Sequence, residues 1–571
     1  MSRPRYVLGL VYSHDSSVAL LRDGQPVVAV QHERLSRKKH DGSISSIDLD
    51  RCITYCLDAE GIGLSEIDLV VENSPTIPYC RDRSSVLGLS TPRLLDDYPQ
   101  DRIRFVSHHL AHAYLAYGTS PFEECACLVV DGQGNLAEDL TEKMLPGVVR
   151  APTSDGPLIE RQSVYTFSGA SHAVVRKDMS PVHKSFTRTG GIGHLYETVS
   201  SYVFRSRQDA GKLMGLAPFG SPTTTMIRTG PEADLAFPRD WVSRQRHRPH
   251  PTRPQFAERF QEYADLAASA QVSLEQAVLE LARWVRDHTG QRHLAYSGGV
   301  ALNCSANRAI ERSGLFDELY VAPPSSDCGI SLGAAYYGAL HVLAQPHSPA
   351  LYTDYLGREY TTADHGTALD LAAGADVEVR RPRSLSHAVA ERLAANRIGG
   401  WFQGRSEFGP RALGNRSILA HPGAIETRDR LNRDIKRREM FRPFGPSVLS
   451  EHADAIFEGG YSRYMLSTST VRSAFQGKLQ AVTHVDGSAR IQCVERSLNP
   501  LYHQLISDFH EMTGLPVVLN TSFNGPGEPI VETPSDAVRT FMTLGLDFLA
   551  LGPYLVEPRQ AGAERGYGRD G

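Results

Sequence analysis

At 571 residues, with 41% hydrophobic and 22% charged content, the chain is too long for one core and reads as a soluble globular protein of two or more domains. A net charge of −5 gives no footprint for nucleic acid, and apolar runs such as Cys125 to Val130 fall far short of the ~20 residues a membrane span needs. The cysteines form no CxxC ladder and no apolar leader opens the chain, so a cytoplasmic protein with free, buried thiols is expected.

Taken in chain order, Tyr6–Val11 and Ser17–Val30 read as consecutive strands, the second stretch folded into a hairpin by Asp23-Gly24. Between them stand His14 and Asp15, a candidate general base at a strand end, or else a hydrogen-bonded loop pair. Ser107 to Tyr114 places His108 and His112 at i, i+4 on one helical face, while His109 points elsewhere. A strand running into an Asp-Gly turn recurs at Ala126–Gly134 and carries Asp131; the repetition suggests an internally duplicated α/β domain. Cys125 and Cys127 alternate with apolar neighbours and should share one face of that strand. Asp327 is a second carboxylate beside glycine. Two histidines and two aspartates suit Fe²⁺, Zn²⁺ or Mn²⁺; satisfied histidines and ordinary aspartate turn chemistry are the competing readings.

Three glycine-rich loops follow. They hold Gly191 (Thr189–Gly193), Lys212 (Gly211–Gly220) and the group Gly298, Gly299, Val300 and Asn303 (Tyr296–Asn303). The last sits between a strand and a helix, where a phosphate or an adenosine can approach a helix N-terminus; Gly-Gly turns also arise for purely steric reasons. Pro222–Pro254 reads as an exposed insertion, Ser273–Thr289 and Ile330–Ala344 as helices, and a domain boundary is placed at residue 357, giving domains 1–357 and 358–571.

Beyond it, Ile398–Phe402 reads as a buried strand that delivers the run Gly404–Ser417, with Arg405, Arg411 and Arg416 among three glycines. Guanidinium forks and glycine backbone suit an anion pocket; a solvated basic loop is the alternative. Asn432–Ser447 adds Lys436 and Arg442, the latter held between Phe441 and Pro443-Phe444, with at least one of Arg437 and Arg438 on a solvated face. Arg490 follows an Asp-Gly turn, and the strand Val517–Asn524 ends in Asn520 and Ser522. Such convergent cations and polar groups suit a small, multiply charged anion. Ala561–Gly571 should fray.

These motifs, together with Glu33–Lys39, His108–Ala113, Gly211–Pro218 and Asn520–Asn524, resemble in content and order the O-carbamoyltransferases of the NodU/CmcH family. The resemblance implies an N-terminal actin-like domain (ASKHA class, duplicated RNase H-like) and a C-terminal YrdC-like α/β domain. It implies that ATP and carbamoyl phosphate give carbamoyl-adenylate in the C-terminal domain, with Mg²⁺ a companion of ATP. The carbamoyl group then passes to a hydroxyl of an antibiotic-like small-molecule acceptor at an N-terminal metal site, Fe²⁺ being the metal suggested. On this reading His108, His112, Asp131 and Asp327 are the ligands and His14 is the base. Arg411, Lys436, Arg442 and Arg490, with Asn520 and Ser522, hold the phosphates. No nucleic acid or membrane partner is implied, and monomer and homodimer stay open.

Other classes explain less. A metallopeptidase would need the glutamate of H-E-x-x-H. An actin-fold kinase leaves the histidine pair and the C-terminal arginines without a task. A tRNA-modifying transferase lacks a broad basic surface here, and a non-catalytic binding module would not need so many polar side chains in glycine-rich clefts.

Overall fold

The computed structural model describes residues 3–41, 49–73, 92–151, 156–182, 190–238, 252–349 and 352–559. The mixed α/β fold is built on two N-terminal sheets and one C-terminal sheet. The first holds β1 (Tyr6–Val11), β2 (Ser17–Arg22), β3 (Gln25–Gln31), β4 (Ile67–Asn73) and β5 (Ile103–Phe105) in the order β3-β2-β1-β4-β5. The second holds β6 (Glu124–Val130), β7 (Val149–Arg150), β8 (Leu158–Ser168), β9 (Ser171–Pro181), β12 (His293–Ser297) and β13 (Glu318–Val321) in the order β13-β12-β6-β8-β9-β7. A small hairpin of β10 (Arg228–Thr229) and β11 (Leu235–Ala236) lies between β9 and β12 in sequence.

The predicted duplication is present in this topology. In each large N-terminal sheet a first strand pairs antiparallel with the next, which pairs antiparallel with a third. On its other side the first strand pairs parallel with a fourth, and the fourth with a fifth. Asp23 and Gly24 close the first hairpin, both left-handed at φ 50° and 76°, as a tight primed turn requires.

Side-chain alternation explains where the cores sit. Cys125, Cys127 and Val129 face a core that also receives Val7 and Val11, whereas Ala126, Leu128 and Val130 face the opposite layer. The shared core lies between the two sheets and encloses the helices His108–Thr119 and Ile330–Tyr336. The first is therefore buried along nearly its whole length, its three histidines included. The helix predicted over Ile330–Ala344 changes to π-type at Tyr337–Val342. Helix Ser273–Thr289 is longer than its sequence signal, running Phe260–Thr289. The insertion Pro222–Pro254 is mostly exposed over its described part, as expected, but Met226, Ile227 and Ala233 anchor it in the core.

The C-terminal sheet holds β14 (Val377–Arg380), β15 (Gly399–Phe402), β16 (Arg416–Ala420), β17 (Gly445–Leu449), β21 (Gln492–Val494), β22 (Val517–Ser522), β23 (Phe548–Leu551) and β24 (Tyr554–Pro558). Their order is β14-β24-β23-β15-β16-β22-β17-β21. Helices Leu385–Ala394 and Pro500–Thr513 cover one face; Thr362–Leu369, Pro534–Leu544 and a small sheet of β18 (Phe457–Glu458), β19 (Ser469–Val471) and β20 (Ser488–Ala489) cover the other. The two halves interlock. Phe441 enters the N-terminal aromatic cluster of Phe204, Phe219, Phe256 and Phe260, and Asn307 donates to the Leu466 carbonyl at 2.7 Å. The cysteines at 56, 125, 127, 304, 328 and 493 are free and buried, and Cys52 is buried; Cys80, the Thr189 end of its glycine loop and Ala561–Gly571 lie outside the described residues.

Candidate active site

Strand ends and one helix bring four predicted residues together. Asp131 follows β6, Ser297 ends β12, Asn73 ends β4, and the helix His108–Thr119 crosses beneath them. One ligand atom from each of His108, His112, Asp131 and Asp327 lies within 4.8 Å of the others. His108 Nε2 is 3.1 Å from Asp131 Oδ2 and 3.7 Å from Asp327 Oδ1. Its Nδ1 is 3.4 Å from Asn73 Oδ1, and its backbone N–H donates to Asn135 Oδ1 at 2.6 Å. His112 Nδ1 meets Ser297 Oγ at 3.1 Å, while its Nε2 is buried with no partner among the described residues. An orphaned imidazole nitrogen beside two carboxylates fits a divalent cation, because each ring's other nitrogen is oriented by a neighbour, as metal-ligating histidines require. Burial, then the neighbouring His108, depresses His112 to about 3, so it is neutral and ready to coordinate at any physiological pH. Burial alone would favour a neutral Asp131, but the His108 hydrogen bond and the other imidazoles outweigh it and hold the carboxylate low.

Behind the cluster, Lys177 is fully buried between Glu142 and Glu160. Glu160 Oε2 accepts from the N–H of Asn135 at 3.0 Å, so this buried ion network fixes the loop that holds His108. His109 turns away to Ser163 Oγ at 2.7 Å.

A cavity of about 350 Å³ opens beside the cluster, lined by His14, Asp15, Asp131, Gly299, Val300 and Asn303 among others. His14 Nδ1 lies 3.6 Å from Asp327 Oδ2, and its Nε2 lies 3.9 Å from Asp15 Oδ2. Burial disfavours the imidazolium, but the Asp327 and Asp15 carboxylates outweigh this and raise its pKa. The cavity also exposes residues that the sequence reading did not single out. Glu33 and Lys39 lay inside a quoted motif, and His40, bonded to Asp15 at 2.9 Å, stood just past its end. Glu197 sits on helix Ile192–Phe204, one turn past Gly193; burial and the nearby Asp131 push it up to about 7. Nothing in its local pattern marked it as cavity-facing.

A second cavity, about 240 Å³, lies toward the C-terminal sheet and is lined by Arg411, Arg438, Arg442, Arg490, Asn520 and Ser522 among others. Burial, then Arg490, depresses Arg411 to about 9, and burial, then Arg442, depresses Arg438 to about 9. The Nε atoms of Arg411 and Arg490 have no partner among the described residues. Packed cations with free donors make an anion site, since a bound anion relieves both the repulsion and the unpaired N–H groups. The two cavities share Lys39, Gly211, Met214, Pro410, Arg411 and Ser522.

Several predicted residues stand elsewhere. Arg416 is fully buried, stacks on Phe402 at 3.6 Å and donates to the carbonyls of Gln403, Asn415 and Gly404. It is a structural cation and not an anion ligand. Arg405 is likewise consumed by the carbonyls of Gly357, Val27 and Leu356. Lys436 follows a π-turn (Leu431–Ile435) and bonds Asn524 Oδ1 at 2.8 Å and the carbonyls of Ser522 and Asn524. It therefore braces the cavity wall from behind, and burial followed by the Arg438 charge drives its pKa well down. Lys212 is ion-paired to Asp209 and Glu439, at 3.0 and 3.2 Å, and Gly191 packs against Arg161. The aromatic clamp foreseen for Arg442 is on Arg438, 4.4 Å above Phe444; Arg437 is exposed.

Gly298 is required by the backbone: its φ is +97°, and a Cβ would lie 2.3 Å from the Val130 carbonyl. Its neighbour Gly299 donates its N–H to Asp131 Oδ1 at 2.7 Å, so the Gly-Gly loop orients a candidate ligand. Gly298→Ala is expected to cost about 2 kcal/mol or more, read as a lowered urea midpoint with unchanged m-value.

The chain is similar to known proteins along most of its length. The profile of the carbamoyltransferase N-terminus matches residues 6–77 and 93–336, and that of the carbamoyltransferase C-terminus matches residues 390–558. Nodulation protein NolNO of Sinorhizobium fredii is 35% identical, over 97% of this chain and 80% of its own length. The 3'-hydroxymethylcephem-O-carbamoyltransferase of Amycolatopsis lactamdurans is 29% identical, over 94% and 96% of the two chains. Full-length HypF in its phosphate- and nucleotide-bound form is similar at a TM-score of 0.36 and 13% identity, over 59% of this chain and 55% of that one. With both profiles matched in sequence order, the chain belongs to the carbamoyltransferase family.

Proposed function

We propose that the chain is an ATP-dependent O-carbamoyltransferase with two linked sites, an adenylate-forming one in a YrdC-like domain from residue 358 and a transfer site in an actin-like domain before it. The observation that carries this reading is the junction of the two cavities at Arg411, with an arginine-lined anion site on one side and the His/Asp cluster on the other.

In the anion cavity, Arg411, Arg442 and Arg490 hold the phosphates of carbamoyl phosphate and ATP, with Arg438 beside them. For the atoms to balance, one water displaces phosphate from carbamoyl phosphate. The carbamate oxygen formed then attacks the α-phosphorus of ATP and expels pyrophosphate. The arginines neutralise the charge that builds on the reacting phosphoryl oxygens. Carbamoyl-adenylate then moves past the shared wall into the metal-side cavity. There His14 takes the proton of the acceptor hydroxyl as its oxygen bonds to the carbonyl carbon, and the bond to AMP breaks. His108, His112, Asp131 and Asp327 would hold a divalent metal, Fe²⁺ by family resemblance, which supplies positive charge for the departing phosphate. The acceptor is a small molecule with a free hydroxyl, by analogy with the named cephem carbamoyltransferases.

The decisive experiment incubates the protein with carbamoyl phosphate, with and without ATP. The reading requires pyrophosphate and inorganic phosphate to appear together, and only when both substrates are present. His14→Ala is expected to retain this release within about threefold, because His14 lines only the metal-side cavity. Loss of pyrophosphate release in His14→Ala would contradict the separation of roles.

A further inference from the structure

Arg34 belongs to the Glu33–Lys39 motif, yet the function proposed above gives it no task. It sits on the short helix His32–Ser36 and is only 2% exposed. Its guanidinium crosses to the C-terminal half and donates to the carbonyl of Gly409 at 2.8 Å, while its Nε has no partner among the described residues. Gly409 stands two residues before Arg411. The same glycine rests on the metal-side loop: a Cβ built on it would lie 3.4 Å from Pro324 Cα and 3.7 Å from Asp354 Oδ2. Pro324 stands three residues before Asp327. Asp354 is 3% exposed, and burial pushes its carboxyl well up against the smaller opposing pulls of the Tyr352 hydrogen bond and the Arg34 charge; its backbone carbonyl also accepts from the N–H of Phe408 at 2.7 Å. One buried guanidinium thus ties the helix beside the metal-side cavity to the loop that carries Arg411, and that loop packs at Gly409 beside Pro324 of the loop that carries Asp327.

Resting on the two-site reading, we propose that Arg34 is a positioning residue that fixes Arg411 relative to Asp327, so that the adenylate formed at one site is held for the other and is not released. A buried cation is costly, and one that donates to a backbone carbonyl of the other domain sets the geometry of that backbone. Misplacement of reacting partners by ~1 Å can cost up to ~10²-fold in rate, whereas changing Arg34 removes none of the arginines that bind phosphate and leaves Arg442 and Arg490, which it does not touch, in place.

The test is a single turnover of the full chain with labelled carbamoyl phosphate and ATP, without acceptor. It reads pyrophosphate released and, after rapid gel filtration, the labelled carbamoyl group retained by the protein. The wild type is expected to retain about one label per pyrophosphate. Arg34→Ala is expected to lose retention about tenfold while pyrophosphate release falls much less, and Arg34→Lys, which keeps the charge without the fork, to fall between. Metal content should be unchanged in both. A retention ratio in Arg34→Ala equal to the wild type overturns the proposal. So does a parallel fall of both quantities with lowered Tm or lost metal, which marks a merely structural arginine. A wild type that releases no pyrophosphate at all sinks the two-site reading itself, a result distinct from either of these.

Discussion

Replacing Arg411 by alanine is expected to reduce pyrophosphate release from ATP and carbamoyl phosphate by at least ~10²-fold, or about 2.7 kcal/mol of transition-state stabilisation. The side chain stands where the two cavities meet, and its Nε is buried without a partner among the described residues. Arg416, whose Nε is likewise unpartnered, donates to three carbonyls, whereas no described residue accepts from Arg411, so the Arg411 fork is open to a ligand. Stability gives an independent check. Burial, then repulsion from Arg490, holds Arg411 at about 9 in the folded protein, so the folded state bears the cost of its charge at neutral pH. Arg411→Ala should accordingly melt no lower than the wild type. A variant that releases pyrophosphate at the wild-type rate would remove the basis for placing adenylate formation in the arginine cavity. Arg416→Ala should behave in the opposite way, because its guanidinium serves backbone carbonyls and Phe402.

The second large effect concerns the metal. His108→Ala and His112→Ala are each expected to lower bound metal, measured by elemental analysis after reconstitution with Fe²⁺ or Zn²⁺, from about one per chain to near zero. Each removes one of four converging donors, and three-donor sites on a buried wall lose both affinity and geometry. The histidines are not equivalent in proton accounting. His112 is held neutral by burial, whereas the carboxylates of Asp327 and Asp131 outweigh burial and raise His108. Metal binding should therefore displace a proton from His108, and affinity should rise with pH through the range in which that imidazole titrates. Unchanged stoichiometry in both variants would discard the ligand set. Pyrophosphate release should survive in both, since Arg438, Arg442 and Arg490 line only the other cavity and Arg411 stands at the junction, outside the ligand cluster.

Much of this was readable from local pattern. The Asp23-Gly24 hairpin, the i, i+4 pairing of His108 and His112 and the common face of Cys125 and Cys127 each depend on residues a few positions apart, where 3.6 and 2.0 periodicities act. The arginines show where such reading stops. Arg411 and Arg416 occupy one glycine-rich run and look alike in sequence. The register of β15 against β16 places Arg416 directly opposite Phe402, so its cation falls on a ring, while Arg411 falls in the loop before the strand. Lys436 shows the same limit: its ammonium is held by Ser522 and Asn524, far away in sequence, which no local spacing records. Glu197, Lys39 and Arg438 line the cavities only because segments far apart in sequence converge, and no local spacing records that.

Helix His108–Thr119 lies between two sheets, with both candidate ligand imidazoles fully buried. Among the described residues, the cavity that Asp131 lines is the route by which a cation held there would exchange, short of partial opening of the fold. A chelator strong enough to win at equilibrium will strip the metal slowly, and a nucleotide filling the cavity will slow it further.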